Sequence, residues 1–263
     1  MTKPFIKLLT VFIFFTQNHL QNSDALVSDG TQFLSMTLET IKKPLSWGKN
    51  DFLNFGYISA SATLLYTFDD EISRFFKRNQ TSSLNKIEFL GDFYGRPNTA
   101  VGLTTSMFVT GSLFNDRWMK ETSLLLGSTL AVTGFFQFLL TRTTGRFRPE
   151  WNKGKSNFSL FSFSKNRHSF PSGHTTIAIS TSLVLASQVK SIYVKAGFYL
   201  LGGITVVSRV YEQAHFSSDV FVGSALAYYV FKSNYSLFKK WSKNNSIALL
   251  PTSNGISISL SFN

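Results

Sequence analysis

The sequence contains no cysteine. That excludes disulfides, thiolate nucleophiles and cysteine-ligated zinc. Histidine is nearly as scarce, with only His19, His168, His174 and His215. No two of them stand at the i, i+4 spacing of a helical metal pair, so neither a metal site nor a cofactor is expected. Acidic residues are few as well, 14 against 26 Lys and Arg, which leaves a formal net charge of +12. Such a surplus suits anionic partners such as phosphorylated substrates, nucleic acid or the surface of an anionic bilayer, and equally a solvated surface.

Apolar and aromatic side chains are abundant, with 28 phenylalanines. Mean hydropathy is nevertheless only +0.05, between a soluble protein and a clear multi-span membrane protein. At the N-terminus Lys3 and Lys7 precede a short apolar run, Leu8 to Phe15, and small residues follow at Ser23 and Ala25. Residues 1–25 therefore read as a cleaved signal peptide or an uncleaved anchor. Residues 26–50 read as a polar, irregular lead-in broken by Pro44. Six apolar segments follow, at about 52–68, 99–115, 122–140, 175–189, 196–208 and 218–231. The third is uncharged and long enough to cross a bilayer. Serine, threonine and glycine stud the others and allow close helix packing. The expected fold is all-α, a bundle of roughly six helices over 51–240. The stretches 69–98 and 141–173 read as polar connections, with Asp69, Asp70 and Glu71 solvating a helix end. At 246–263 alternating Ile256, Ile258, Leu260 and Phe262 follow a Pro-Thr-Ser-Asn-Gly turn and predict a small β-hairpin.

Three short motifs carry the chemistry: Gly145-Arg146-Phe147-Arg148-Pro149, Pro171-Ser172-Gly173-His174, and Ser208-Arg209 followed by His215 and Asp219. Each borders an apolar segment, so all three can meet at one end of a bundle. Phosphoryl transfer needs cations and N–H donors around the equatorial oxygens, with a nucleophile and a proton donor in line. Arg148 and Arg209 supply permanently charged forked donors. Ser172 and Gly173 fall where a helix begins, and exposed amides there attract anions. If 215–219 is helical, Asp219 lies on the face of His215 and can hold one ring nitrogen protonated while the other attacks. His174 can protonate the leaving oxygen.

These residues resemble the type 2 phosphatidic acid phosphatase superfamily, which is related to bacterial class A acid phosphatases and vanadium haloperoxidases. The family pattern is Lys-x6-Arg-Pro, then Pro-Ser-Gly-His, then Ser-Arg-x5-His-x3-Asp. The second and third motifs match completely. The resemblance implies His215 as nucleophile, His174 as general acid and Asp219 as the group orienting His215. Arg148, Arg209, Ser172 and Gly173 would bind phosphate, without a metal. One position departs: the family lysine falls on Thr141, leaving Thr141, Arg142 and Arg146 as auxiliary candidates. On a helix Arg142 points about 100° away from Thr141.

The implied activity is a metal-independent phosphatase forming a phosphohistidine. Its substrate would be a membrane lipid such as phosphatidic acid, phosphatidylglycerophosphate, a polyprenyl pyrophosphate or a lipid A phosphate. The expected setting is a bacterial-type cell envelope with a periplasm-facing site, and no nucleic acid partner. Alternatives are a secreted broad-specificity acid phosphatase, a vanadium-dependent haloperoxidase, and a degenerate member that binds phosphate without turnover.

Overall fold

The computed structural model describes residues 28–164 and 166–244, together with the backbone of 247–252 and 255–260. The leader expected over 1–25 lies outside the described residues. Among those described, the architecture is all-α. Helix α1 spans 28–42 and leads through a tight turn, Lys43–Ser46, into α2, Lys49–Arg78. Then come α3, Ser82–Gly95, α4, Pro97–Leu113, and α5, Arg117–Thr144. After a long connection follow α6, Gly173–Ser187, α7, Ile192–Tyr211, and α8, Ser217–Asn244. The paired tail strands Ile247–Thr252 and Gly255–Leu260 have side chains outside the described set, so the hairpin at 246–263 stays an expectation.

Among the described residues eight helices stand where six apolar segments were expected. Residues 28–42 are helical rather than irregular. The supposed connection 69–98 is the end of α2 plus all of α3. Local chemistry explains the boundaries. Asp51 accepts the Gly48 N–H at the start of α2. Thr81 caps α3 and Asp116 caps α5 through Leu84 N–H and Met119 N–H. Gly145 ends α5 in the left-handed region at φ 52°, where a side chain would be strained.

Helix α6 is the centre of the bundle and touches α3, α4, α5, α7 and α8. Its buried face is small and polar, with Thr175, Thr176, Ala178, Ser180, Thr181 and Ser182. Small residues let backbones approach, and hydroxyl pairs then join neighbours. Thr133 of α5 meets Ser180, and Tyr94 of α3 meets Ser182 at 3.0 Å. Asn234 of α8 donates to Ser128 and Thr129 and accepts from Thr40. A cluster around Met36, Leu124, Leu125, Leu126, Val184 and Phe238 supplies the apolar core.

Much of the apolar surface faces outward instead. Phe52, Phe55, Phe68 and Phe75 of α2, Phe89 and Phe93 of α3, and Tyr193, Tyr199 and Leu200 of α7 are all exposed. Among the described residues, one stretch, Arg117–Trp151, is long and apolar enough to cross a membrane by length and composition.

Candidate active site

The three motifs converge at the ends of α5, α6 and α7 and the start of α8. His215 lies in the short turn between α7 and α8 and is 2% exposed. Gln213, at φ 63°, bends the chain out of α7. Its side chain is held by the main chain and hydroxyl of Ser73 in α2. This bend aims His215 back toward α6. Its Nδ1 lies 2.7 Å from the carbonyl oxygen of Ser169. A carbonyl only accepts, so Nδ1 carries the proton and Nε2 keeps its lone pair. Burial, followed by the charge of Arg148, pushes the ring well below the usual histidine range, against the Ser169 bond. The ring is thus a neutral base with one nitrogen free.

Asp219 does not hold that ring, contrary to the expectation from i, i+4 spacing. Helix α8 begins only at Ser217, so His215 lies outside it. The Asp219 carboxylate turns back to accept the Phe216 N–H at 2.9 Å, as an acidic third helical residue does at a helix start. It also accepts the Ser169 hydroxyl and Arg146 Nη1. Asp219 therefore reaches His215 through Ser169: the hydroxyl is fixed by the carboxylate and the carbonyl fixes the imidazole. Burial pushes Asp219 up to about 6, opposed by Arg146 and the Ser169 and Phe216 donors.

Arg146 is no auxiliary phosphate ligand. It is 1% exposed, and its guanidinium is consumed internally. It donates to Asp219, Ser218, Asp69 and the Lys155 carbonyl. It also lies over the Phe216 ring at 4.2 Å. Asp69, expected to solvate a helix end, is fully buried and also accepts from Ser217 and Ser218. Arg142 bonds His168 at 2.9 Å and stacks on Phe138 and Phe163, pointing away as the helical wheel predicts. Thr141, in the lysine position, is buried and accepts from Gln137 Nε2 at 2.9 Å. Gln137, unmarked by any motif, also reaches the Pro171 carbonyl and lies against Gly173.

Ser172 is the N-cap of α6 and accepts the Thr175 N–H. The N–H groups of Gly173 and His174 at that helix start have no acceptor among the described residues, which makes them anion donors. Arg148 is more lightly paired than Arg146 or Arg209: its ion pair to Glu150 is 3.7 Å long and its buried Nε has no partner. Arg209 is 3% exposed and heavily paired, to Glu88 at 2.7 Å and to Asp92 and Glu212 at 2.8 Å. His174 Nε2 lies 3.3 Å from Asp92. Burial and the charge of Arg209 push His174 down to about 4, against the pull of Asp92. The open cleft lined by Asp70 and residues 153–158 includes none of these groups.

Sequence comparison shows which family this constellation is similar to. The model of the PAP2 superfamily matches residues 122–243. Over that span the chain is similar to the PAP2 superfamily. The matched span runs from α5 to α8 and contains all three motifs. No curated protein matches the chain. Among solved structures, LpxE of Aquifex aeolicus is similar at 21% identity and a TM-score of 0.50, over 65% of this chain and 95% of that one. The first transmembrane PAP2 type phosphatidylglycerolphosphate phosphatase from Bacillus subtilis is similar at 22% identity and a TM-score of 0.57, over 76% and 97%. At these identities the likeness concerns the PAP2 fold.

Proposed function

We propose that this protein is a membrane-associated phosphatase that removes phosphate from a lipid through a phosphohistidine on His215. The observation that carries the reading is the fixed tautomer of His215. Its Nδ1 is committed to Ser169, so Nε2 is the available nucleophile, and its position among Arg148, His174 and Arg209 is where a phosphoryl group would be held. The PAP2 match and the two neighbours, one of them a phosphatidylglycerolphosphate phosphatase, support the same chemistry.

In the first step the Nε2 lone pair attacks phosphorus and the bond to the leaving oxygen breaks. His174 gives that oxygen its proton. Arg148, Arg209 and the Gly173 and His174 amides stabilise the charge on the equatorial oxygens. In the second step water attacks the phosphohistidine, His174 recovers a proton from it, and the P–N bond breaks to release inorganic phosphate. All groups required are side chains or amides of this chain, so metal chelation leaves the rate unchanged. Asp219, Ser169 and Arg146 act behind the nucleophile.

The exposed aromatic faces of α2, α3 and α7 and the apolar stretch Arg117–Trp151 support a lipid substrate and a membrane setting. The leader-like residues 1–25 support an envelope protein, and its site is placed on the periplasmic side. The decisive test is trapping. Turnover of a 32P-labelled lipid monophosphate, quenched in alkaline detergent, should leave acid-labile, base-stable label on wild type and none on His215→Ala. Label on that variant, or turnover within about tenfold of wild type, sinks the mechanism.

A further inference from the structure

Neither the motifs nor the two catalytic steps use α3, yet this helix lies directly against them. Its two buried residues are glycines. A Cβ on Gly91 would fall 2.5 Å from Ser208 Oγ, and one on Gly95 would fall 2.9 Å from the His174 carbonyl oxygen. Those close approaches bring Glu88 and Asp92, one turn apart on α3, to Arg209 and His174. One oxygen of Asp92, Oδ1, serves both: it accepts Arg209 Nη1 at 2.8 Å and lies 3.3 Å from His174 Nε2. The other, Oδ2, accepts Arg96 Nε at 2.7 Å. Glu88 accepts Arg209 Nη2.

We propose that Asp92, supported by Glu88, is a positioning and specificity-determining residue that makes the site select lipid monophosphates over lipid diphosphates. This rests on the phosphohistidine reading above and names its substrate class. The leaving oxygen must reach the proton of His174, so the first atoms of the leaving group lie beside Asp92. A monophosphate leaves as an alcohol, neutral once protonated, and its hydroxyl can donate to a carboxylate. A diphosphate leaves as a phosphate monoester, whose negative oxygens meet Asp92 and Glu88 at short range. Like charges placed this closely are a device for rejecting a wrong partner. Arg148 and Arg209 are committed to the transferred phosphoryl group in the mechanism above, Arg209 is already paired to three carboxylates and Arg96 is paired to Asp92, so little positive charge is left for a charged leaving group. The position where the family pattern has a further cation is Thr141.

The test compares phosphatidic acid with diacylglycerol diphosphate of the same acyl chains, in one detergent, with full-length protein. Wild type should favour the monophosphate in kcat/KM by at least about tenfold, and Asp92→Asn should narrow that ratio at least about fivefold. A purely structural defect lowers both rates and leaves the ratio alone. Glu88→Gln, at a less buried position, should narrow the ratio in the same direction, and it decides the matter if the Asp92 variant melts early. Equal or better diphosphate turnover by wild type, or a ratio unmoved in the folded variants, overturns the proposal. Binding gives a readout that needs no turnover. By calorimetry, methylenebisphosphonate should bind wild type more weakly than methylphosphonate and recover in Asp92→Asn. That order without hydrolysis would sink the phosphatase reading and leave charge selection standing. His215-dependent hydrolysis with no discrimination would do the reverse.

Discussion

The carbonyl of Ser169 takes the Nδ1 proton of His215 at 2.7 Å, while the hydroxyl of the same serine donates to Asp219. The acidic residue of the third motif is thus one residue removed from the ring it serves. Ser169→Ala keeps the carbonyl and removes only the hydroxyl bond. It should lower kcat about three- to tenfold and stability by about 1 kcal/mol. Asp219→Asn should cost more, and His215→Ala should abolish turnover. Steady-state kinetics with thermal melts on the three variants checks that order. An Asp219 variant as inactive as His215→Ala, at wild-type stability, would mean direct orientation after all.

Arg146 should matter to stability before it matters to binding. Removing it strands two buried carboxylates, Asp69 and Asp219, and breaking a buried pair by deleting one partner costs about 3–5 kcal/mol. Arg146→Met should therefore unfold early in a thermal melt. Arg148→Met, whose ion pair is long and partly exposed, should keep the melting temperature and raise KM. If the two variants exchange these phenotypes, the assignment of the two arginines is reversed.

The pH dependence follows from His174. Its acid form is the proton donor, and with the ring pushed down to about 4 only about one site in a thousand is protonated at pH 7 in the free enzyme. Protonation increases as pH falls, so kcat/KM on alkyl phosphates should climb from pH 7 toward pH 4. His215, held well below its ordinary range by burial and Arg148, loses less to protonation over that climb than an ordinary histidine would. Activated aryl phosphates, which leave without a proton, should show a shallower slope. In His174→Ala the two slopes should coincide, and a persisting difference would assign the acid role elsewhere.

Gly91→Ala tests the seat of α3. The added Cβ would collide with the Ser208 side chain, and overpacking of this kind costs about 1–3 kcal/mol. Relief by backing α3 away from α7 also draws Glu88 and Asp92 off Arg209. The variant should therefore lose stability and change the monophosphate-to-diphosphate ratio together. Loss of stability at an unchanged ratio would separate the packing of α3 from selectivity.

The motif residues were legible because their chemistry is local. Ser172 caps the helix that its own sequence begins, and Gly145 ends the helix that its φ requires it to end. Helix α5 was legible from its apolar run. Helix α3 was not, because its inward face is made of Gly91 and Gly95 while Phe89 and Phe93 face outward. That inverts the apolar periodicity by which helices are recognised. The roles of Arg146 and Arg148, two residues apart, depend on which one meets Asp69, 77 positions upstream. Spacing alone carries no sign of that partner. The link from Asp219 to His215 was misread for a related reason: the helix begins two residues too late for the two side chains to share a face.

The bonds of Arg146 also order events during biosynthesis. Its partners come from α2, from the connection at Lys155 and from the first turn of α8, so the guanidinium is satisfied only once the last helix has left the ribosome and docked. Until then Arg146 has one of its two carboxylate partners, Asp69 of α2, and lacks the other, Asp219. The same closing contact sets Asp219, and through Ser169 the tautomer of His215. A nascent chain ending before α8 would therefore hold its histidines and arginines but no nucleophile in working order, so hydrolysis would begin only when synthesis of the helical domain is complete.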